Sequence, residues 1–464
     1  MSIFWQMIFQ LKMNSIERRA VISLSLVLAL RMLGLFMVIP VFSLFAQHLE
    51  DATPVLVGIA LGIYGLFQGC LQIPFGMLSD RIGRKPVIIF GLLLFTIGSL
   101  IAGVAHSIEW MIVGRALQGA GAIGSTVLAL IADLTREEQR TKAMAISGIT
   151  IGFSFSLAML VGPLLTTWVS VNTLFFLAMA FGLMAMVLLE FFTPTPAASH
   201  WHRDTEPDLK AFLNILIMPE LLKLNLGIFI LHAIFTASFI VIPINLFKYL
   251  QLTINHQWVL YLPTLLIAFA LSFICISIAE KKHQVKTFFV GGIATLALSL
   301  GLLWWQTFNL IGTAIGVGLF FASFSLMEAF MPSLISRLAP LTRKGSALGI
   351  YSCSQFLGIF IGGSFGGLLY SRFDFPGIYF FCITLAIFWL ILALFMQGPR
   401  YLISHMWKIP AYFAWEKFAT DLRNIAGIVE VTFIPKDSVM YLKMERGTLS
   451  NPDFIRLKEQ IQLE

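Results

Sequence analysis

Apolar runs of about twenty residues recur along almost the whole of this chain, each long enough as a helix to cross the hydrocarbon core of a bilayer. Lipid leaves no partner for exposed backbone groups, so runs of this kind must be helices packed into a bundle. Of the 464 residues 58% are hydrophobic and only 12% charged, which makes the chain a polytopic membrane protein. Twelve spans are expected, at 21–46, 55–78, 86–104, 109–131, 143–167, 172–192, 222–249, 257–279, 285–304, 310–336, 344–370 and 376–397. They are numbered 1 to 12 below. An even number returns both termini to one side. Residues 1–20 carry no small-residue cleavage site and run into a full-length span, so they read as a retained terminal segment.

Lys and Arg in the loops set the orientation. One set of interhelix loops holds Arg81, Arg84, Lys85, Arg136, Arg140, Lys142, Arg203, Lys210, Lys223, Lys281, Lys282, Lys286, Arg337, Arg343 and Lys344, while the other holds only Lys248 and Arg372. Both termini are therefore expected in the cytoplasm. The net charge of +7 follows from these loop bases, which serve topology and anionic headgroups, and calls for no nucleic acid. Cys70, Cys275, Cys353 and Cys382 all fall inside spans at spacings that form no CxxC or metal cluster, and read as structural thiols.

The longest connection, 193–221, contains Pro194, Pro196 and Pro207 and divides the spans six and six, giving two bundles at 21–192 and 222–397. Internal similarity supports a doubled unit. Phe36–Val41 "FMVIPV" answers Phe239–Ile244 "FIVIPI", Leu130–Leu134 "LIADL" answers Leu334–Leu338 "LISRL", and Gly148 answers Gly349, at offsets of 203, 204 and 201. From 398 to 464 charged residues return and the apolar runs shorten, as in a small cytoplasmic domain. Strands are expected at Met406–Pro410, Ile428–Ile434 and Val439–Glu445, and helices at Tyr412–Ile425 and Pro452–Ile461. That βαββα order resembles a ferredoxin-like fold without its last strand. Its ligand or partner is open, as is a role in assembly alone.

Charges inside the spans are few and costly, so each should face a cavity or a partner. Arg31 and Arg115 are the deep bases and Glu328 is the deep acid. Glu328 lies about nine residues from the end of span 10, roughly 13 Å of helix. It is the leading proton carrier, because a carboxyl moved between apolar and cation-rich settings can load and release a proton. His232 in span 7 is the second titratable candidate, behind its reading as a hydrogen-bonded core histidine. Arg31 and Arg115 could set the field around Glu328. No span holds paired acids, metal ligands or a nucleophile beside a base, so an enzyme is not expected.

Between spans 2 and 3 the pattern G-x-L-x-D-R-x-G-R-K occupies Gly76, Leu78, Asp80, Arg81, Gly83, Arg84 and Lys85. Span 4 carries R-x-x-Q-G-x-G-A at Arg115, Gln118, Gly119, Gly121 and Ala122, and span 1 carries L-G-x-x-x-x-x-P at Leu33, Gly34 and Pro40. Together these resemble the signatures of the major facilitator superfamily, the last of them those of its drug:proton antiporter branch. Stretches at Arg31–Val41, Leu326–Ser336 and Tyr351–Gly367 are similar to members that carry a small ferredoxin-like domain after span 12. The span 5 antiporter signature, a glycine ladder ending in G-P-x-x-G-G, is kept in part. Gly148, Gly152, Gly162 and Pro163 are present, and Leu165 and Thr166 stand at the final glycines.

The resemblance implies an all-α fold of two six-helix pseudo-repeats in a bacterial inner membrane. It further implies a proton-coupled antiporter that exports a small amphipathic molecule by alternating access, with a proton gradient for energy and no cofactor. A facilitator without proton coupling and a transporter-like sensor signalling through the C-terminal domain are the alternatives. For Asp80, which topology does not explain, the resemblance implies a contact with the N-terminus of span 11 at Lys344–Gly349, where unpaired amides favour an anion. Gly345 leaves room there. Arg81 or Arg84 would pair with Asp133, and the group would latch the two bundles together on the cytoplasmic side.

Overall fold

The computed structural model describes residues 13–195, 215–340 and 344–396, and beyond them 402–408, 427–434 and 439–445 with a few isolated positions. Most of the central loop, Arg343 and nearly all of the helices expected at 412–425 and 452–461 lie outside the described residues.

Among the described residues eleven helices are long and apolar enough to cross a membrane. Ten correspond to spans 1 to 10. The eleventh, Gly345–Leu394, has 50 residues, about 75 Å of straight helix and far more than a bilayer needs. It is broken at Asp374, whose φ of 53° and ψ of −156° are not helical. The Asp374 carboxylate accepts the Phe375 N–H at 2.8 Å, and Pro376 starts the following helix, where a missing N–H costs nothing. The break falls between the expected spans 11 and 12.

Several boundaries differ from the sequence reading, among them the start of span 5, at Glu137 instead of 143. Span 1 starts at Ser15, six residues early, because Asn14 and Glu17 form a reciprocal capping box: the Asn14 side chain accepts the Glu17 N–H at 2.7 Å and the Glu17 carboxylate accepts the Asn14 N–H at 2.9 Å. Span 1 is also two helices, Ser15–Phe36 and Ile39–Ala46, since Pro40 has no N–H to continue the ladder. Span 4 likewise divides into Ile108–Ala120 and Gly124–Asp133. A side chain on Gly121 would strike the Gly91 carbonyl of span 3, so the broken segment presses where only glycine fits.

Spans 2 and 11 pack as a small-residue seam. A methyl group on Gly58 would strike the Gly363 carbonyl, one on Gly62 would lie 3.0 Å from the Ile359 carbonyl oxygen, and one on Gly65 2.5 Å from that of Phe356. The seam then opens toward the end of the bundle that carries the charged 2–3 loop. At Gly69 the nearest atom is 3.4 Å away, and Gly345 and Gly349 have nothing within 4 Å. Span 7 runs through the core, with His232, Phe235, Phe239 and Ile242 all buried. At the other end of the molecule the Ser43 hydroxyl of span 1 donates to the Phe239 carbonyl at 3.0 Å, joining the first and last six spans.

After the last span, strands β1 (Leu402–Lys408), β2 (Ile428–Ile434) and β3 (Val439–Glu445) form an antiparallel sheet in the order β1-β3-β2. Two strands lie where the alternation put them, and β1 starts four residues before the expected Met406. Met440, Leu442 and Met444, at every second position of β3, are buried on one face.

Candidate functional site

The 2–3 turn depends on Gly83, whose φ of 99° suits glycine and lets span 2 end at Ile82 and span 3 begin at Arg84 with one residue between them. The turn delivers Arg84 into a cluster: its Nη1 bonds Asp80 Oδ1 at 2.5 Å and the Ser79 hydroxyl at 2.7 Å, and its Nε bonds Asp133 Oδ2 at 3.1 Å. Of the two bases proposed for Asp133, Arg84 is the one that reaches it. Arg81 lies exposed in the last turn of span 2. Asp80 pairs with Arg84 in this arrangement, and among the described residues no hydrogen bond or ion pair joins it to span 11, where the space beside Gly345 is open. Lys85 donates to the Thr193 carbonyl at 2.8 Å and so ties the turn to the end of span 6.

Deep in the bundle, spans 7, 10 and 11 bring Glu328 and His232 together. Glu328 Oε1 lies 3.6 Å from His232 Nε2, beyond hydrogen-bond range, and has no hydrogen-bond partner among the described residues. The histidine is held from both sides: Nδ1 donates to the Ile228 carbonyl at 3.3 Å and Nε2 accepts from Gln355 Nε2 at 2.8 Å. A third of the Glu328 side chain, 33%, is exposed to the space between the helices. Beside it Phe324 stacks on Phe155 of span 5 at 5.6 Å between centroids and packs on Phe235 at 4.7 Å, so aromatic faces of both bundles meet at this acid.

Arg31 and Arg115 are not part of that group. Both are fully buried among spans 1 to 4. Arg115 donates to Gln118 Oε1 at 2.8 Å, reaches the Ala60 carbonyl at 3.4 Å, and lies 4.5 Å from the Tyr64 ring centroid. Arg31 donates to Gln68 Oε1 at 2.8 Å.

The glycines of the antiporter and packing motifs separate into two kinds. Gly119 abuts the Tyr64 backbone and Gly162 the Met37 carbonyl at the break in span 1, each closer than any side chain could come. Gly148 and Gly152 have nothing within 4 Å. Pro163 sits in the last turn of span 5 beside Gly162.

Gln68, Gln355 and Glu17 were not singled out by sequence reasoning. The glutamines are lone amides in apolar spans, a signal that calls for a partner but does not name one. Glu17 has a clearer signal in the N-x-x-E spacing from Asn14. Its carboxylate, only 3% exposed, accepts Arg136 Nε at 2.8 Å, Arg136 Nη2 at 3.1 Å and the Arg136 N–H at 3.0 Å, pinning the 4–5 loop to the start of span 1.

Comparison with known proteins agrees with this architecture. The chain is 42% identical to the inner membrane transport protein YajR of Escherichia coli (strain K12) over 435 residues, which cover 94% of the chain and 96% of that protein. It is 25% identical to the multidrug resistance protein MdtH of Sodalis glossinidius (strain morsitans) over 79% of the chain and 90% of that protein. The fold is shared with a solved bacterial homologue of the human lysosomal transporter Spinster, in an inward-facing and occupied conformation, with a TM-score of 0.66 and 14% identity over 83% of this chain and 97% of that one. The sequence profile of the Major Facilitator Superfamily matches residues 24–334 and 257–405. With a paired charged loop between spans 2 and 3 and a polar group buried among its spans, this chain is a transporter that belongs to the Major Facilitator Superfamily.

Proposed function

We propose that the protein is a proton-coupled antiporter that exports a small amphipathic molecule from the cytoplasm across the bacterial inner membrane. The observation that carries this reading is Glu328, an acid inside the bundle whose Oε1 has no partner and whose side chain meets the space between the two bundles. A carboxyl so placed can gain or lose a proton without breaking a structural ion pair. His232, held by Ile228 and Gln355, lies beside the acid without a hydrogen bond to it. Phe155, Phe235 and Phe324 provide apolar faces for a substrate beside the proton site. Efflux is supported by the name of the MdtH relative, and the membrane by that of the YajR relative.

Alternating access rocks the bundles at 21–192 and 222–397 about this site. With the termini in the cytoplasm, as the loop bases indicate, the arrangement described here faces the cytoplasm. The opposite arrangement closes span 2 onto span 11, where Asp80 docks against the amides near Gly345 and frees Arg84 to hold Asp133 alone. Coupling follows when protonation of Glu328 and binding of substrate favour different arrangements. We further propose that residues 398–464 form a ferredoxin-like domain, a reading with which the antiparallel order β1-β3-β2 is in keeping.

A screen of fluorescent amphipathic dyes in proteoliposomes with an imposed proton gradient tests the reading. Gradient-driven flux of at least one dye is expected in the native protein and its loss in Glu328→Gln. Gradient-driven flux that survives Glu328→Gln contradicts it.

A further inference from the structure

Arg31 and Arg115 are two fully desolvated cations with no acid of their own. The acids of the first bundle, Glu17, Glu50, Asp51, Asp80, Glu109, Asp133, Glu137, Glu138 and Glu190, all lie near helix ends or in loops. Neither arginine forms an ion pair among the described residues. Arg115 distributes its donors over Gln118 and two span 2 carbonyls, whereas Arg31 spends one nitrogen on Gln68 and leaves Nε and Nη1 with no partner among the described residues. The Tyr64 hydroxyl, whose ring lies 4.5 Å from Arg115, is also buried without a hydrogen-bond partner among the described residues. An uncompensated buried charge is costly, and unused guanidinium donors suit an oxyanion as their partner.

A second observation points to the same place. Spans 1 and 4, which carry the two arginines, are the two that break in the first bundle among the described residues, at Met37 and at Gly121. Each break lies six residues beyond its arginine, 37 against 31 and 121 against 115. Discontinuous spans at midmembrane depth border the ligand sites of transporters, since a broken ladder can hinge where a continuous helix cannot. Movement at both breaks would change the packing around the guanidiniums.

From these residues we infer that the first bundle holds an anion subsite, with Arg31 as the principal donor and Tyr64 beside it, and that the transported molecules carry a carboxylate or similar oxyanion on an apolar body. This rests on the transport reading above and names the class of substrate. The anionic end meets Arg31 while the apolar body lies on Phe155, Phe235 and Phe324.

Equilibrium binding of three probes with one scaffold tests it: 1-naphthoate, 1-naphthalenemethanol and 1-naphthylmethylammonium, titrated at fixed pH against the full chain in nanodiscs. The native protein is expected to bind naphthoate about tenfold more tightly than the alcohol or the ammonium. Arg31→Gln should abolish that preference and Arg31→Lys retain part of it. Equal binding of the three probes, preference for the ammonium, or no naphthoate binding into the millimolar range overturns the inference. So does naphthoate binding unchanged in Arg31→Gln, the outcome if Arg31 instead serves Glu328 in the other arrangement. The comparison of probes on the native protein needs no variant, so poor folding of Arg31→Gln leaves the test intact. No gradient is applied, so failure here is separate from failure of proton coupling at Glu328.

Discussion

Arg337 Nη2 lies 2.6 Å from Glu280 Oε1, joining the end of span 10 to the end of span 8. These residues stand where Asp133 and Asp80 stand in the first bundle, at offsets of 204 and 200. The first bundle bridges two acids through Arg84, and the second makes its bridge directly by putting a base in the place of Asp133. A motif that looks degenerate in sequence, with Ile276 in place of Gly76, is thus kept as an ionic tie. Both side chains are partly exposed, so the pair contributes at most about 1 kcal/mol to stability. Glu280→Arg and Arg337→Glu are each expected to slow transport with little change in thermal midpoint, and the double exchange to recover most of the rate, measured as dye flux in proteoliposomes.

Asp80→Asn should disfavour the arrangement closed at the charged end. The amide keeps the size of the side chain but loses the charge that the span 11 amides would bind. Thiol labelling of single cysteines between the bundles is the readout, and labelling from the cytoplasmic side should rise severalfold.

Gly162 and Gly148 sit on one helix and should respond differently to the same substitution. Gly162→Val places a side chain on the Met37 carbonyl and should destabilise the protein by about 1–3 kcal/mol or prevent folding. Gly148→Val meets nothing here, so it should fold with a native thermal midpoint. If span 5 closes at Gly148 in the opposite arrangement, that variant should lose most of its flux.

Glu17 is a buried carboxylate serving four donors, the Asn14 N–H and three from Arg136. Glu17→Gln removes the charge and Glu17→Ala also leaves the donors unpaired, for a loss of about 1–3 kcal/mol in the second case. Chemical unfolding of the purified protein should rank native above Glu17→Gln above Glu17→Ala.

Much of this architecture is written locally. Long apolar runs mark the spans, and period-two alternation marks β2 and β3 at the residues where they occur. Asn14 and Glu17 also mark the true start of span 1, as a cap that outranks the onset of hydrophobicity. The breaks in spans 1 and 4 are less legible, because Pro40 and Gly121 are tolerated inside other helices, and only the approach of Gly162 and Gly91 settles the local geometry. The site is least legible. His232 and Glu328 are 96 residues apart and Gln355 is a further 27 on. No spacing rule links side chains on three different helices, so the sequence could nominate each polar residue but not its neighbour. Asp80 shows the same limit in another form, since its partner depends on which arrangement the bundles adopt.

Glu328 as the proton site that controls those arrangements is the central claim, and it can be tested without knowing the substrate. Spin labels at Leu78 and Gly345, in a chain with the four cysteines replaced by serine, report the separation of spans 2 and 11 at the charged end. Distance distributions recorded from about pH 5 to pH 9 should shift with pH in this background and stay fixed in one distribution in Glu328→Gln. A Glu328→Gln protein whose distances still follow pH as the parent's do would contradict the account.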